Sequence, residues 1–462
     1  MAAGILAAVI FTNALDRAGD NNAPGVFALL LLLSELLMLF NNFGLVFTLP
    51  KLIVSSAPDR RNSVAWSALL YQIMTSVAFA VPVYLLWIVV DDPTVISTNE
   101  SWVSLFPYLW ALPLLVLLGN LRENALAALA GFDRYGARAA GLIATAIVNL
   151  VMIVVLLWYL YTGLTGLLLA TMLTYLFGAL WFCYALPRFR KRDADWHEYR
   201  KAVRFTVPLF LNNLLGFAST RCDTLIIAWL LGPAAAAYFE FIPKRFSAYL
   251  NRITVSALTP FLPRMSALVA QDDHAEASQL LNAVSFTFTA AGYTGVLLLV
   301  AVQDWLVGLL FPPEYKSALS SMGLVLASGI LCLQAGIAGL TLIALEKPKA
   351  ITIVNAITAI LSLTLNIIFV PWLGMVGAGI AAVLSGAFSD TAQVWYVSRY
   401  GLRVSWTRFL GLHFLFLAGL VLSSVLANSI FALTCPLLFV LACLSSRILR
   451  LDEMRSLASQ KA

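Results

Sequence analysis

Long apolar runs alternate with short polar segments along almost the whole chain. A membrane-spanning helix needs about 20 mostly apolar residues, and a window of that length predicts fourteen candidates. They cover residues 1–15, 25–49, 63–90, 102–130, 137–161, 164–186, 205–231, 235–264, 279–311, 318–345, 350–372, 375–397, 406–428 and 430–449. The pattern therefore predicts an all-α polytopic membrane protein without a separate soluble domain.

The lysines and arginines predict how these helices are oriented. When the loops are assigned alternately to the two sides, 23 of the 29 basic residues lie on one side. Only Arg17 and Lys316 lie on the opposite side, and the other four, Arg221, Lys244, Arg245 and Arg252, lie within predicted spans. Because basic loops remain in the cytoplasm, both termini are expected there. This asymmetry explains the net charge of +6 without a nucleic-acid partner.

Two landmarks recur along the chain at nearly equal separations. A Leu-Pro pair at the expected end of the second helix, 49–50, returns 213 residues later at 262–263. A Gly-x-x-Gly junction at 163–166 returns 211 residues later at 374–377. Chance is the alternative, since both motifs are common at helix ends. The matching offsets favour two duplicated six-helix halves of the same orientation, that is, parallel repeats.

The duplication divides the chain into four predicted parts. They are an N-terminal lobe of helices 1 to 6 (1–186), a basic cytoplasmic linker (187–204), a C-terminal lobe of helices 7 to 12 (205–397), and two extra helices with a cytoplasmic tail (398–462). Composition agrees with this organisation, because 61% of the residues are hydrophobic and 11% charged, whereas soluble domains are about a quarter charged. The five cysteines and three histidines form no ligand spacing, so neither a disulfide framework nor a metal site is expected.

Charged residues inside the predicted spans are concentrated in helices two, seven and eight. An ionisable group at mid-bilayer costs about 2.5–3.5 kcal/mol on insertion scales and usually faces a partner or water. Helical spacing places most of these groups on two stripes of helix eight. The first stripe contains Glu240, Lys244, Ser247 and Asn251, and the second contains Arg245 and Arg252. Helix seven adds Arg221 and Asp223, and helix two adds Glu35.

These stripes predict the wall of a water-filled, charge-lined cavity. A structural role is the alternative for each single residue. Glu240 and Lys244 are four residues apart and could neutralise one another, while Arg252 could extend to the cytoplasmic interface. Arg221 and Asp223 could equally be partners of residues on neighbouring helices. The clustering of charge on three helices favours function for the set.

Several stretches resemble the multidrug/oligosaccharidyl-lipid/polysaccharide flippase superfamily, specifically its polysaccharide-exporter, or O-antigen flippase, branch. They are FTVPLFLNNLLGFASTRCDTLIIAWLLGPAAAAYF, ALEKPKAITIVNAITAILSLTLNIIFVPWLGMVGAGIAAVLS, and LDRAGDNNAPGVFALL followed by NNFGLVFTLPKL. The resemblance implies two six-helix lobes around a central cavity lined by helices one, two, seven and eight. It also implies a multi-pass protein of the bacterial inner membrane that uses no cofactor.

The substrate implied by the resemblance is a polyprenyl-pyrophosphate-linked oligosaccharide, which crosses the membrane by alternating access for cell-surface polysaccharide synthesis. A polysaccharide polymerase and chain-length machinery are then the candidate partners. Lysine and arginine suit a pyrophosphate. The candidate contacts for pyrophosphate, acidic sugar or sugar hydroxyls are Lys244, Arg245, Arg252, Arg221, Asn251 and Tyr249. The candidates for gating pairs or for H⁺ or Na⁺ coupling are Asp223, Glu240 and Glu35.

Two other functions were weighed against this one. A cation-coupled drug antiporter of the same fold should have a net acidic site, whereas helices seven and eight carry four basic residues against two acidic ones. A membrane-embedded polymerase, ligase or glycosyltransferase needs a sizeable outer loop, and the longest predicted outer loop covers only residues 91–101. Both comparisons favour a flippase that performs no covalent chemistry.

Overall fold

The computed structural model describes residues 2–17, 19, 22–89, 100–189, 196–258, 260–426, 430–446 and 448–449. All regular secondary structure in these ranges is helical, which confirms the predicted all-α class. The α-helices are α1 (Ala2–Arg17), α2 (Ala23–Asn42), α3 (Leu45–Ser55), α4 (Arg61–Val89), α5 (Glu100–Leu105), α6 (Ala111–Gly131), α7 (Tyr135–Ile153), α8 (Gly163–Ala185), α9 (Trp196–Leu231), α10 (Pro233–Phe239), α11 (Arg245–Ala257), α12 (Phe261–Ala270), α13 (His274–Leu310), α14 (Leu319–Ala344), α15 (Pro348–Leu373), α16 (Met375–Arg399), α17 (Trp406–Val425) and α18 (Cys435–Ser445).

Eleven helical segments of the described residues are long and apolar enough to cross a membrane. The predicted count of fourteen is not confirmed, because three predicted spans fall outside this set. The first is α1, which has 16 residues, and the last is α18, which has 11 residues. The predicted eighth span, 235–264, is not one continuous helix.

That eighth span is divided by a change of helical geometry around a proline. Residues Glu240–Lys244 form a π-helical turn that contains the buried Pro243. Proline lacks a backbone N–H and its ring clashes with the carbonyl four residues earlier, so a wider turn accommodates it. The segment consequently runs as α10, the π turn and α11, and α12 follows as a separate helix. The prediction of a single helix was wrong here.

The predicted second span is likewise two helices. Phe43 and Gly44 adopt left-handed backbone conformations, with φ of 49° and 77°, and they separate α2 from α3. Pro50 lies inside α3, so the Leu-Pro pair does not close the helix as expected. Pro263 also lies inside a short helix, α12. The two prolines therefore mark equivalent short helices rather than helix ends.

The short helix α3 is held by one buried face. Leu45, Leu49 and Ile53 are four residues apart, so they lie on the same side of the helix, and all three are fully buried. They belong to one apolar core with residues of α4 and α6. Burying side chains of this size contributes about 1.5–3 kcal/mol each. The alternate face carries Pro50 and the exposed Lys51.

The structured chain divides into two compact units. The first contains Met1–Arg221 and Ala228–Ala237, and the second contains Cys222–Ile227 and Tyr238–Ala462. Helix α9 begins at Trp196, inside the segment predicted as a linker.

Helix boundaries repeat between the two units at the separation of the sequence landmarks. The starts of α4 and α13 are 213 residues apart, as are the ends of α6 and α14 and the starts of α7 and α15. Asp133 and Glu346 share a left-handed backbone, with φ of 55° and 58°, at the same separation. Gly163 and Gly374 have φ of 58° and 59°. A left-handed φ favours glycine at such positions, which explains why this landmark is visible in the sequence.

Candidate functional site

Four predicted or neighbouring polar side chains meet within the second unit, on α9 and the π turn. Asp223 and Thr224 belong to α9, and Glu240 and Lys244 begin and end the π turn. The Lys244 ammonium forms an ion pair with the Asp223 carboxylate. The same ammonium donates a hydrogen bond to Thr224 Oγ1 at 3.2 Å. We call this group the Asp223 cluster.

The second carboxyl group of the Asp223 cluster is joined through the threonine. Thr224 Oγ1 donates to Glu240 Oε2 at 3.1 Å, and the backbone N–H of Thr224 donates to Asp223 Oδ1 at 2.7 Å. One hydroxyl thus connects the ammonium to the second carboxyl group. The sequence prediction treated Glu240 and Lys244 as one stripe, and the structure adds Asp223 as an ion-pair partner of Lys244.

Burial makes the ion pair of this cluster sensitive to the loss of either partner. The side chains of Lys244 and Asp223 are 12% and 9% exposed. An ion pair in such surroundings adds little net stability, but leaving one member without the other is costly. The cluster thus brings two carboxyl groups and one ammonium together on α9 and the π turn.

The first unit contains a second pair formed by predicted site residues. Arg221 Nη2 lies 3.1 Å from Glu35 Oε2 and 3.4 Å from Glu35 Oε1. Their side chains are 33% and 45% exposed. Two of the four basic candidates, Lys244 and Arg221, are therefore ion-paired with acidic candidates, as the structural alternative had anticipated for Arg221 and Asp223.

The remaining candidates lie along α11. Arg252 is exposed, and the guanidinium of the half-buried Arg245 lies 5.0 Å from the centre of the Phe241 ring. Tyr249 is also half-buried. Asn251 faces α14: its Nδ2 is so close to Gly329 that a Cβ added to this glycine would lie 3.1 Å away. Ser247, from the same stripe, donates to the carbonyl of Val325 at 3.3 Å, so this stripe packs on α14.

A buried amide cluster in the first unit escaped the sequence analysis. Asn41 Oδ1 accepts hydrogen bonds from Gln72, from Ser76 at 3.0 Å and from Asn120 at 3.1 Å. Asn120 Oδ1 accepts in turn from Asn42 Nδ2 at 3.0 Å. We call these five residues the amide cluster; it lies next to the break between α2 and α3. The sequence shows the adjacent asparagines 41 and 42, but single amides on distant apolar helices give no signal that they converge.

Comparison with known proteins adds three kinds of finding. The profile of the family described as "Polysaccharide biosynthesis protein" matches residues 21–320. No curated protein sequence matches the chain. Three solved structures match over most of its length, at 12–14% sequence identity.

These solved structures share the fold described above. An inward-facing multidrug resistance MATE family transporter of the MOP superfamily has a TM-score of 0.65 and 14% identity, covering 86% of this chain and 94% of its own. The lipid II flippase MurJ, in an inward closed conformation, has a TM-score of 0.64 and 12% identity, covering 94% and 97%. A MOP superfamily transporter from Pyrococcus furiosus has a TM-score of 0.56 and 14% identity, covering 86% and 92%.

The helical boundaries, the internal duplication and the family match agree with the resemblance seen in the sequence. The family profile covers more than half of the chain, and the fold is shared with transporters and with a flippase. The chain is a multi-pass membrane protein that belongs to the polysaccharide biosynthesis protein family and has the fold of the multidrug/oligosaccharidyl-lipid/polysaccharide flippase superfamily.

Proposed function

We propose that the protein is a flippase that moves polyprenyl-pyrophosphate-linked oligosaccharide units across the cytoplasmic membrane of a bacterium by alternating access. The observation that carries this proposal is the family match to polysaccharide biosynthesis proteins over residues 21–320, on a fold shared with a lipid II flippase. A lipid-linked sugar is the substrate class that unites these two findings. The transported molecule would supply cell-surface polysaccharide assembly, with a polymerase and chain-length machinery as partners.

The charges of α11 support an anionic headgroup. Lys244 and Arg221 form ion pairs with Asp223 and Glu35. Arg245 and Arg252 are seven residues apart on one face of α11, and we assign the pyrophosphate contacts to these two arginines. Arg252 is exposed, and Arg245 lies one and two turns from Tyr249 and Arg252 along the same helix. Guanidinium groups bind phosphate oxygens through paired N–H donors. Tyr249 would donate to or accept from sugar hydroxyls.

Reconstitution into vesicles with a fluorescent lipid-linked oligosaccharide tests this function directly. Each charge-assisted hydrogen bond contributes about 1.5 kcal/mol, so the double variant Arg245→Ala/Arg252→Ala should weaken substrate binding roughly a hundredfold. Arg264→Ala is the matched control, because this arginine of α12 pairs with Glu276 at 3.3 Å and is partly exposed. Extending the variant by Lys244→Ala tests the remaining ammonium.

The outcomes separate the function from the assignment of residues. Flipping by the wild type that is lost in the double variant and kept in Arg264→Ala supports both. Flipping that is unchanged after all three substitutions overturns the anion site. A wild-type protein that moves no lipid-linked oligosaccharide overturns the flippase function.

A cation-coupled antiporter is the second candidate, and one observation favours it. The Asp223 cluster holds two carboxyl groups against one ammonium, which suits a cationic substrate or a coupling ion better than an anion. Cation-driven efflux of a dye from the same vesicles, abolished by Asp223→Asn and by Glu240→Gln, would identify this function. The flippase remains our proposal because the antiporter does not account for the polysaccharide family match.

A further inference from the structure

Three polar side chains from three helices meet in the interior of the second unit, away from the residues discussed so far. Asp390 of α16 is fully buried. One of its oxygens, Oδ2, lies 3.3 Å from Nε2 of His413 on α17. The other ring nitrogen of this histidine, Nδ1, shares a hydrogen bond of 2.8 Å with the hydroxyl of Tyr293 on α13. We call these three residues the Asp390 cluster.

The cluster is enclosed by aromatic rings. The Tyr293 ring stacks on Phe416 with centroids 3.8 Å apart. Phe409 meets the His413 ring edge to face at 4.6 Å. Such surroundings exclude water, so each charge inside them is costly unless it is paired. Among the described residues, neither carboxyl oxygen of Asp390 accepts a hydrogen bond of acceptable geometry.

The titratable groups that face Asp390 are few. His413 faces it from α17, Tyr293 from α13 and Cys332 from α14. On α16 itself, one turn further along, Gln393 donates to Ser389 Oγ at 3.3 Å, and neither of these titrates. Among the described residues around the carboxyl group, His413 is therefore the basic side chain that lies against it.

The pairing of one carboxyl group with one imidazole determines how many protons the Asp390 cluster holds. With one proton shared between Asp390 and His413, the pair is neutral, either as carboxylic acid with imidazole or as carboxylate with imidazolium. Removing that proton leaves a negative charge in an apolar interior, and adding a second leaves a positive charge. Both charged states are disfavoured by burial. A change of packing or hydration at the cluster would therefore change its proton occupancy.

A small crevice within the same unit borders the cluster through Phe409. Its lining includes the polar side chains of Asn282, Ser285 and Gln334, together with Phe409, whose ring contacts His413. Asn282 at one end donates to the backbone carbonyl of Arg403 in the α16–α17 loop at 2.8 Å. Because that loop belongs to the basic side of the chain, the positive-inside rule orients the crevice toward the cytoplasm.

The duplicated fold does not itself require a carboxyl group at this position. At the 211-residue separation of Gly163 and Gly374, which lie at the starts of α8 and α16, the position equivalent to Asp390 is the buried Ala179 of α8. His413 belongs to α17, which follows the two repeated halves. The Asp390 cluster is thus particular to the second unit and to the added helices.

We propose that the Asp390 cluster is a proton-binding site whose loading and release drive transport. Asp390 and His413 hold the proton, and Tyr293 positions the imidazole through Nδ1. Chains of acidic and histidine side chains serve as proton relays in membrane pumps and transporters. The coupling part of this inference rests on the proposed transport function, whereas the binding of a proton does not.

Infrared difference spectroscopy on the purified full chain tests proton binding without any substrate. The wild type should show a titration of carboxyl and imidazole bands that disappears in Asp390→Asn. Asp304→Asn is the matched control, because Asp304 also lies in a spanning helix, α13, and this variant should keep the titration. Tyr293→Phe should shift the midpoint without removing the bands. If Asp390→Asn does not fold, His413→Gln replaces it and should remove the imidazole bands and change the carboxyl titration.

Vesicles with an imposed pH gradient test the coupling. The gradient should accelerate flipping of lipid-linked oligosaccharide by the wild type and by Asp304→Asn, but not by Asp390→Asn. An infrared titration that is identical in the wild type and in Asp390→Asn overturns the proton site. Acceleration that survives in Asp390→Asn, or that follows Na⁺ rather than pH, overturns the coupling. A wild type that flips nothing refutes the proposed function, while the infrared result still decides the proton site.

Discussion

Replacing Asp223 by asparagine should destabilise the protein strongly, and removing Lys244 from that variant should cost much less than removing Lys244 from the wild type. The pair is nearly buried, at 9% and 12% exposure. Removing one member of a buried pair costs about 3–5 kcal/mol, because the other charge stays buried. We expect the low end of that range for Asp223→Asn, about 3 kcal/mol, since Lys244 keeps its hydrogen bond to Thr224.

A double-mutant cycle measures the interaction itself. Asp223→Asn, Lys244→Met and the double variant would be unfolded reversibly in mixed detergent micelles, and the free energies compared. The loss of unfolding free energy in the double variant should be smaller than the sum of the two single losses. The difference, which is the coupling energy, should be about 2 kcal/mol. The control cycle uses Arg264 and Glu276, whose side chains are 35% and 50% exposed, and should give about 0–1 kcal/mol.

Two results would refute this reasoning. Additive losses in the double variant would mean that the two side chains do not interact energetically. A loss below about 0.5 kcal/mol for Asp223→Asn, the range of an ordinary surface substitution, would mean that the pair is hydrated rather than buried.

Three further predictions concern packing, polar satisfaction and topology. Gly25→Ala should lower the free energy of unfolding by about 1–3 kcal/mol, because the new Cβ would overlap the backbone carbonyl of Pro233 within the first unit; denaturation in micelles measures this. Asn120→Leu should cost about 1–3 kcal/mol by the same assay, since it leaves buried partners in the amide cluster unsatisfied. In a background without the five native cysteines, Lys316→Cys should be labelled by an impermeant reagent in intact cells, and Lys347→Cys only after permeabilisation.

Each of these has its own control. Gly216→Ala meets open space, and it should leave the free energy of unfolding within about 0.5 kcal/mol of the wild type; an equal loss at both glycines would contradict the steric argument. Asn120→Asp keeps one acceptor oxygen for Asn42, so it should retain that hydrogen bond but lose the donor to Asn41. Labelling of both introduced cysteines from the same side would contradict the predicted orientation.

The sequence predicted the large-scale organisation because that organisation depends on composition. Apolar runs of sufficient length must become helices in a bilayer, where unsatisfied backbone groups are too costly. The duplication was also visible in the sequence, because a left-handed φ at Gly163 and Gly374 favours glycine in both halves. The break at Gly44 and the separation of α11 from α12 were missed because hydropathy does not distinguish an interrupted helix from a continuous one.

The sequence by itself determined which residues carry charge inside the spans, and it placed Glu240 and Lys244 in one stripe with Asp223 as a separate candidate. Only the tertiary structure decided the partners, because an ion pair depends on which helix faces meet in space. It joined Lys244 to Asp223 and brought His413 to Asp390, which are 23 residues apart in the chain and on different helices. Helical periodicity places a side chain on one face of its own helix, but which helix that face meets is set by the packing of the whole unit.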